Sequence, residues 1–365
     1  MKILFIGHYA QISGFGIASQ NYLLAMDSVG LNVVPRPVLL NGPTGNVPDR
    51  IRELEQKSNQ GCDICIQHVL PHFLVYSSHF RKNIALTILE SHNIELNPWY
   101  DQYHLMDELW APCRKIIEGN RWKKPIYLVP HAFNLEEYNK EFKGLDIRQA
   151  RQNYKFYYIG EHSKRKNLEA LIQAFQLAFT PSDPVSLILK VSIPGLNEDQ
   201  TVKEMSNFCE SVKQGMRLYE NPYGYKTESI LGTYLSREQI LRLHSECDCC
   251  VSSSYGEAWA QQLFDSVAMG NISISPNYGG PKEFLHPDFL VEGQEVPCFG
   301  YNSFPGINTA RERWYEVSIL DLAGKMRECY EMKEKDKIRY KNWYKKKVQE
   351  FSYKNIGKIM KGLLK

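Results

Sequence analysis

Short apolar runs alternate with longer stretches whose apolar positions recur every three to four residues, over almost the whole chain. Period two and unbroken apolar runs mark strands, and the longer period marks helices packed on one face. The first half predicts strands at Lys2–Gly7, Leu31–Leu40, Cys62–Gln67, Ile84–Leu89, Asp107–Trp110 and Ile126–Val129. Helices are expected between them at Ile17–Met26, Asp49–Lys57, Pro98–Met106 and Pro112–Gly119. Pro35 and Pro37 give the second strand an irregular or edge course. The second half repeats the alternation. Strands are expected at Tyr154–Ile159, Val185–Lys190, Cys247–Val251 and Ile272–Ser275, and helices from near Asn167, at Asn197–Gln214 and at Ala258–Met269. Ser236 and Gln239 form a capping box ahead of a further helix. Trp314–Lys335 reads as a helix and Trp343–Leu364 as a basic helical tail. Strands alternating with helices predict parallel sheets covered on both faces, a doubly wound α/β chain.

The 365 residues are long enough for two domains with cores of their own. We expect a first domain over 1–134 and a polar connector over 135–152. A second domain is expected over 153–335, with basic helices over 336–365 crossing back to the first. With 43% hydrophobic and 23% charged residues, the composition is that of an ordinary soluble protein. No apolar run approaches the roughly 18 residues of a membrane span. Nine scattered cysteines, several inside apolar strands, fit a reducing cytoplasm. Cys62 and Cys65 form a C-x-x-C along a strand with no second ligand pair, which argues against zinc. The net charge of +3 is uneven: residues 325–365 carry 14 Lys and Arg against 5 Asp and Glu. Such a segment is either a solvated helix surface or a contact for an anionic membrane or polyanion.

Candidate chemistry concentrates in VSSSYGEAWAQQLFDSVAMGNISISPNYGGPKE, residues 251–283. It reads as strand, polar turn, helix, strand and a second turn at Gly279 and Gly280. Ligands collect where such strands end and helices begin. Glu257 and Asp265, eight residues apart, would stand about 12 Å apart on one side of a helix. That exceeds the roughly 5–9.5 Å between a glycosidase's two carboxylates, and suits two grips on one extended ligand. Lys164, Arg165 and Lys166 precede the next-best signal, a helix start where three cations are unfavourable unless an anion is present. Gly14 and Gly16, after the first strand, would let backbone amides approach a phosphate or form a tight turn.

The 251–283 segment resembles the retaining nucleotide-sugar glycosyltransferases of GT-B family 4. Their mark is a Glu, seven residues and a second Glu, then a small-residue helix end, a strand and a Gly-Gly turn. Glu257 matches the first acid, Asp265 stands where the second Glu is usual, and Ala268, Met269, Gly270 and the Gly279–Gly280 pair follow in step. The resemblance implies two facing Rossmann-like doubly wound domains with a cleft between them. It also implies that Glu257 lies by the donor sugar and that Asp265 holds the ribose. Lys166 matches a donor-phosphate lysine, whereas the arginine usual just after the glycine is Glu161 here, so Arg165 or Lys164 would take that contact. Gly16 matches a loop that faces the donor diphosphate. Glu90, in ESHNIELNPWY, matches an acid near the transferred sugar, or else caps the turn before the Pro98 helix; His68 and His92 rank below it. Pro130 and His131 resemble a family turn with Ala132 in place of Gly.

The implied activity is transfer of a hexosyl unit, with retention, from a UDP- or GDP-linked sugar to an unidentified hydroxyl. Glu257, Lys166, Arg165 and Glu90 are the expected catalytic residues, and Gly16, Asp265, Gly279 and Gly280 join Lys166 and Arg165 in holding the donor. No cofactor is expected beyond the donor, and no metal, since the chain lacks an Asp-x-Asp. The expected location is cytoplasmic, with a membrane-peripheral contact through 325–365. A sugar-nucleotide epimerase, a phosphorylase and a non-catalytic sugar-nucleotide-binding protein remain open on the same fold.

Overall fold

A computed structural model describes residues 1–40, 44–147, 150, 152–221, 224–300 and 309–365. The chain divides into two compact units, one of 1–135, 297–313 and 347–365, the other of 136–296 and 314–346. In the first, β1 (Lys2–Gly7), α1 (Gly14–Ser28), β2 (Asn32–Pro37), α2 (Asp49–Glu55), β3 (Ile64–His68) and β4 (Lys82–Leu86) follow in turn. They are continued by α3 (Pro98–His104), β5 (Glu108–Ala111), α4 (Arg114–Glu118) and β6 (Ile126–Leu128). The strands form one parallel sheet in the order β2-β1-β3-β4-β5-β6. Every residue of β3 is buried, as a strand covered on both faces requires. Pro35 and Pro37 lie in β2, at the sheet edge, where a missing N–H costs no ladder bond.

The second unit repeats the plan with β7 (Tyr154–Glu161), α5 (Leu168–Ala178), β8 (Val185–Ser192), α6 (Glu198–Met216) and β9 (Ser229–Leu231). Then come α7 (Arg237–Glu246), β10 (Cys249–Val251), α8 (Gln261–Ala268), β11 (Ile272–Pro276) and β12 (Leu290–Val291). Their parallel sheet runs β12-β11-β10-β7-β8-β9. Phe156, Leu187, Leu189, Cys249, Val251 and Ile274 are fully buried at its centre. The expected capping box forms before α7: Ser236 Oγ accepts from the Gln239 amide, and the Gln239 side chain accepts from the Ser236 amide. The chain adds strands outward from β7 to β9, then returns to build β10–β12 on the other side. The strand order therefore switches between β7 and β10, the position where α/β sheets open for a ligand.

The reading of Trp314–Lys335 as one helix is corrected. RWYEV, at Arg313–Val317, is a strand, β14, paired with β13 (Gly293–Pro297), and α9 (Ile319–Glu331) begins only after Ser318 caps it. The aromatic and β-branched content of that pentapeptide favours the pleated surface over a helix. The basic tail is two helices, α10 (Glu334–Lys347) and α11 (Tyr353–Leu363), separated by a 3-10 turn at Val348–Phe351. Residues 336–346 group with the second unit and 297–313 with the first, so the chain passes between units at other points than 335. In the first unit α11 lies on α1: Tyr353 Oη donates to Asn21 Oδ1 at 2.7 Å and Lys361 Nζ to the Val29 carbonyl at 2.7 Å. The glycine, proline and asparagine content of 300–308 reads as a loop in the sequence, and 301–308 lie outside the described residues.

Candidate functional site

Three loops of the second unit leave the carboxyl ends of β7, β10 and β11, the strands around the switch point. The first holds Lys164–Lys166 in a single 3-10 turn, closed by Asn167 in the left-handed region at φ +50°. The three cations stand directly before α5, as the pattern suggests, with Asn167 between them and Leu168. The second loop is laced to the first. Ser253 Oγ donates to the Asn167 carbonyl at 2.7 Å, and the Tyr255 amide donates to the Arg165 carbonyl at 2.8 Å. Ser252, Ser253 and Ser254 are buried, and these bonds are how hydroxyls at such positions are satisfied.

The helix expected from Ala258 begins at Gln261. Ala260 has φ +74°, which interrupts helical geometry before it can start. Glu257 therefore sits on a loop, and the helical separation from Asp265 does not apply. Its carboxylate meets Lys166 Nζ at 2.5 Å and Arg165 Nη1 at 3.2 Å, and Arg165 Nη1 also donates to the Gly256 carbonyl at 2.7 Å. Burial alone would raise the Glu257 pKa, but Lys166 and Arg165 outweigh it and hold it down at about 2. The group is a fixed anion throughout the working pH range. Near neutral pH it has no proton to give.

Gly279 and Gly280 shape this loop. Gly279 has φ +69°, and a Cβ on it would collide with the Glu257 carbonyl. A Cβ on Gly280 would collide with the Ala258 carbonyl and Trp259 Cα, and the Gly280 amide donates to the Glu257 carbonyl at 2.9 Å. The pair was read as donor-contacting; the structure gives it a second task, holding the backbone of Glu257.

Asp265, the residue expected to hold the ribose, is engaged by protein donors. Its carboxylate is buried and paired with Arg237, whose Nη2 donates to Oδ1 at 3.1 Å. Tyr138 Oη donates to the same oxygen at 2.6 Å and Gln261 Nε2 at 2.9 Å. Burial raises the Asp265 pKa, and Arg237 more than reverses that. Arg237 also pairs with Glu137 at 2.9 Å. Three donors on Oδ1 exhaust what one carboxylate oxygen accepts. Tyr138, Glu137 and Arg237 went unnoticed in the sequence, because they meet Asp265 only through the fold, and Arg237 reads as an ordinary first-turn residue of α7.

Glu161 is the exposed last residue of β7, while Arg165 is the guanidinium that reaches Glu257. Lys164 Nζ lies over the Tyr255 ring at 5.8 Å. In the first unit, Gly16 donates its amide to Ser13 Oγ at 3.0 Å as part of the α1 cap, and a Cβ there would collide with the Gln11 carbonyl. That is the tight-turn role; its amide is already engaged. Glu90 lies beyond the end of β4, near Tyr103, whose pKa its charge helps to raise. His68 ends β3, fully buried, with Nδ1 2.6 Å from Ser19 Oγ and the Phe15 ring 4.2 Å away. His92 forms a bridge with Arg313, and burial pushes His131 down to about 3. The nine cysteines are free thiols, and among the described residues no group of three or more His, Cys, Asp or Glu is placed to hold a metal ion.

No family model and no curated protein matches the chain. Solved structures do. The Anabaena protein Alr3699/HepE in complex with UDP and glucose superposes with a TM-score of 0.66 at 14% identity, over 100% of this chain and 99% of that one. Sucrose-phosphate synthase from Thermosynechococcus elongatus gives 0.67 at 14%, over 100% and 98%. The trehalose-6-phosphate structure from E. coli bound with UDP-2-fluoro glucose gives 0.66 at 10%, over 100% and 99%. At these identities the likeness shows the fold: the chain has the GT-B architecture of two Rossmann-like units.

Proposed function

We propose that the chain is a metal-independent, retaining glycosyltransferase that moves a hexosyl unit from a nucleotide-diphosphate sugar to a hydroxyl acceptor. The observation that carries this reading is the cluster of Arg165, Lys166 and Glu257 at the β7/β10 switch point. Arg165 and Lys166 gather at the buried Glu257 carboxylate, with Lys164 adjacent. A diphosphate is the kind of anion such a basic turn binds, and the same cations stabilise the charge that grows on it as the sugar leaves. Glu257, ionised and rigidly held, orients the sugar hydroxyls. Gly279 and Gly280 act as positioning residues for its backbone. Asp265 acts on Tyr138 and Arg237, and a ribose hydroxyl reaches it at Oδ2, the oxygen that takes Arg237 Nη1. Glu90 and Gly16 belong to the acceptor-side unit in this proposal. UDP- and GDP-sugars are the donors to try first, UDP because HepE and the E. coli structure are described with UDP or a UDP-sugar. No helix among the described residues is long and apolar enough to cross a membrane, and the basic 325–365 segment is proposed as a peripheral contact for an anionic surface.

The test is thermal shift with UDP-, GDP-, ADP- and TDP-sugars on the wild type, Lys166→Ala and Glu257→Ala, followed by donor turnover with and without an acceptor hydroxyl. One nucleotide should stabilise the wild type and lose most of its effect in Lys166→Ala. No response to any nucleotide would overturn the reading.

A further inference from the structure

Three connections leave the carboxyl ends of β1, β3 and β4, which are neighbours in the first sheet, and each carries aromatic rings to that edge. Phe15 lies in the first turn of α1, His72 and Phe73 in a 3-10 turn after β3, and Trp99 in the first turn of α3. The rings touch in series. Phe15 lies 5.3 Å from His8, and Phe73 5.6 Å from the same imidazole. His72 lies 4.5 Å from Phe73 and is stacked with Trp99 at 6.4 Å. His72 and Phe73 are exposed, Phe73 by 39%, while Phe15 and Trp99 are half-buried. A contiguous run of exposed rings, unlike a lone surface phenylalanine, marks a contact surface.

The base of this surface is a pair of buried imidazoles. His8 Nδ1 donates to the Val38 carbonyl at 2.8 Å, and its Nε2 accepts from the Leu70 amide at 3.1 Å. His68, 4.2 Å from the Phe15 ring, is fixed by Ser19. Burial lowers the pKa of both, so neither is charged near neutral pH. Rings seated on fixed rings lose little freedom when a ligand arrives.

The charge of the three connections narrows the ligand. Residues 8–20, 69–80 and 87–100 contain no Lys or Arg, and their charges are the carboxylates of Glu90 and Glu95. A nucleic acid, a phosphorylated sugar or an anionic lipid calls for cations that these segments do not supply. An alkyl chain would gain nothing from carboxylates. A pyranose suits both features. One of its faces is a patch of polarised C–H bonds that lies well on the negative face of an aromatic ring, and its hydroxyls donate to carboxylates.

We propose that this edge of the first unit is a binding platform for an uncharged pyranose, stacked on Phe73 and Trp99. That the bound sugar is the acceptor rests on the transferase reading above. The experiment is saturation-transfer NMR on the full chain with methyl glycosides of glucose, galactose, mannose and N-acetylglucosamine, and with maltose and cellobiose. At least one sugar should show enhancement concentrated on its C–H face. Its Kd should rise roughly tenfold in Phe73→Ala and in Phe73→Leu, which keeps apolar bulk without a ring, and change little in Phe73→Tyr. Phe73 lies exposed in a short turn, so these variants should melt close to wild type and keep its thermal-shift response to UDP or GDP. Glucose 6-phosphate should bind no tighter than methyl glucoside.

No enhancement in any of these sugars overturns the proposal, as does a Phe73→Leu variant that binds sugar like wild type. Tighter binding of glucose 6-phosphate overturns it too, because the site would then be made for an anion. Capture of phosphatidylcholine vesicles or of oligothymidylate through Phe73, in place of the sugars, would overturn it in favour of a lipid or a nucleic acid. A nucleotide response without any sugar response removes this platform and leaves the donor reading standing. A sugar response without a nucleotide response does the reverse.

Discussion

The backbone carbonyl of Glu257 occupies the space that a Cβ on Gly279 would need, and Gly279 itself sits at φ +69°. A side chain there is resisted twice, by the left-handed conformation and by the collision. Gly279→Ala should lower stability by about 1–3 kcal/mol and displace the Glu257 loop. Gly30→Ala is the control. Gly30 has φ +73° with open space around it, so it carries the conformational cost of about 1 kcal/mol alone. Thermal unfolding with and without nucleotide should show both variants destabilised and only Gly279→Ala impaired in nucleotide response.

Glu257 has a pH signature. Its folded pKa of about 2 lies below the ordinary 4.5, so the ionised form stabilises the folded state. That contribution is complete above pH 4.5 and is lost as pH falls through 2. It is worth about 3 kcal/mol at most. Glu257→Gln should be less stable than wild type at neutral pH, with the gap closing between pH 4.5 and 2 in urea titrations. A gap that does not change with pH would mean that the carboxylate's charge is not what stabilises the loop.

The Asp265–Arg237 pair should behave as structure first and site second. Asp265→Ala leaves Arg237, Tyr138 and Gln261 without their shared acceptor, whereas Arg237→Ala leaves Asp265 two donors. A double-mutant cycle should give a coupling of about 1–3 kcal/mol, moderated by the partial exposure of Arg237. Asp265→Ala should be the costlier single change. Its nucleotide affinity should fall less than that of Lys166→Ala, which we expect to lose about tenfold to a hundredfold.

Donor turnover should be unchanged by EDTA. A drop that added magnesium or manganese restores would identify a metal requirement that the Arg165–Lys166 reading does not contain.

What the sequence made legible followed from local rules. Apolar periodicity located the strands of the first sheet and β7, β8, β10 and β11 of the second, because a strand buried on two faces leaves little freedom of composition. It did not mark β9 and β12, the short strands at the edges of the second sheet. The basic turn and Glu257 were legible as residue types out of keeping with their surroundings. The start of α8 was not, since Ala260 takes φ +74° without the glycine or asparagine that would announce it. Nor was β14, whose strand pairing depends on β13, with fifteen residues between Pro297 and Arg313. The surroundings of Asp265 were out of reach for a plainer reason. Tyr138 is 127 positions away along the chain, and no pattern within a window of residues records such a meeting.

The packing of α11 on α1 has a consequence for biosynthesis. Gly357 lies so close to the Ala25 carbonyl that no side chain fits between, and Tyr353 and Lys361 fasten the helix at Asn21 and Val29. α1 is therefore covered by a helix 332 positions further along the chain. While the ribosome is still translating, the nascent amino-terminal sheet must wait with one flank of α1 bare. At about 5–20 residues per second, that interval lasts tens of seconds. The second unit, whose strands and helices lie within 136–346, is complete before the first can close, and a chaperone that shields α1 would find its work ended by the emergence of residues 353–363.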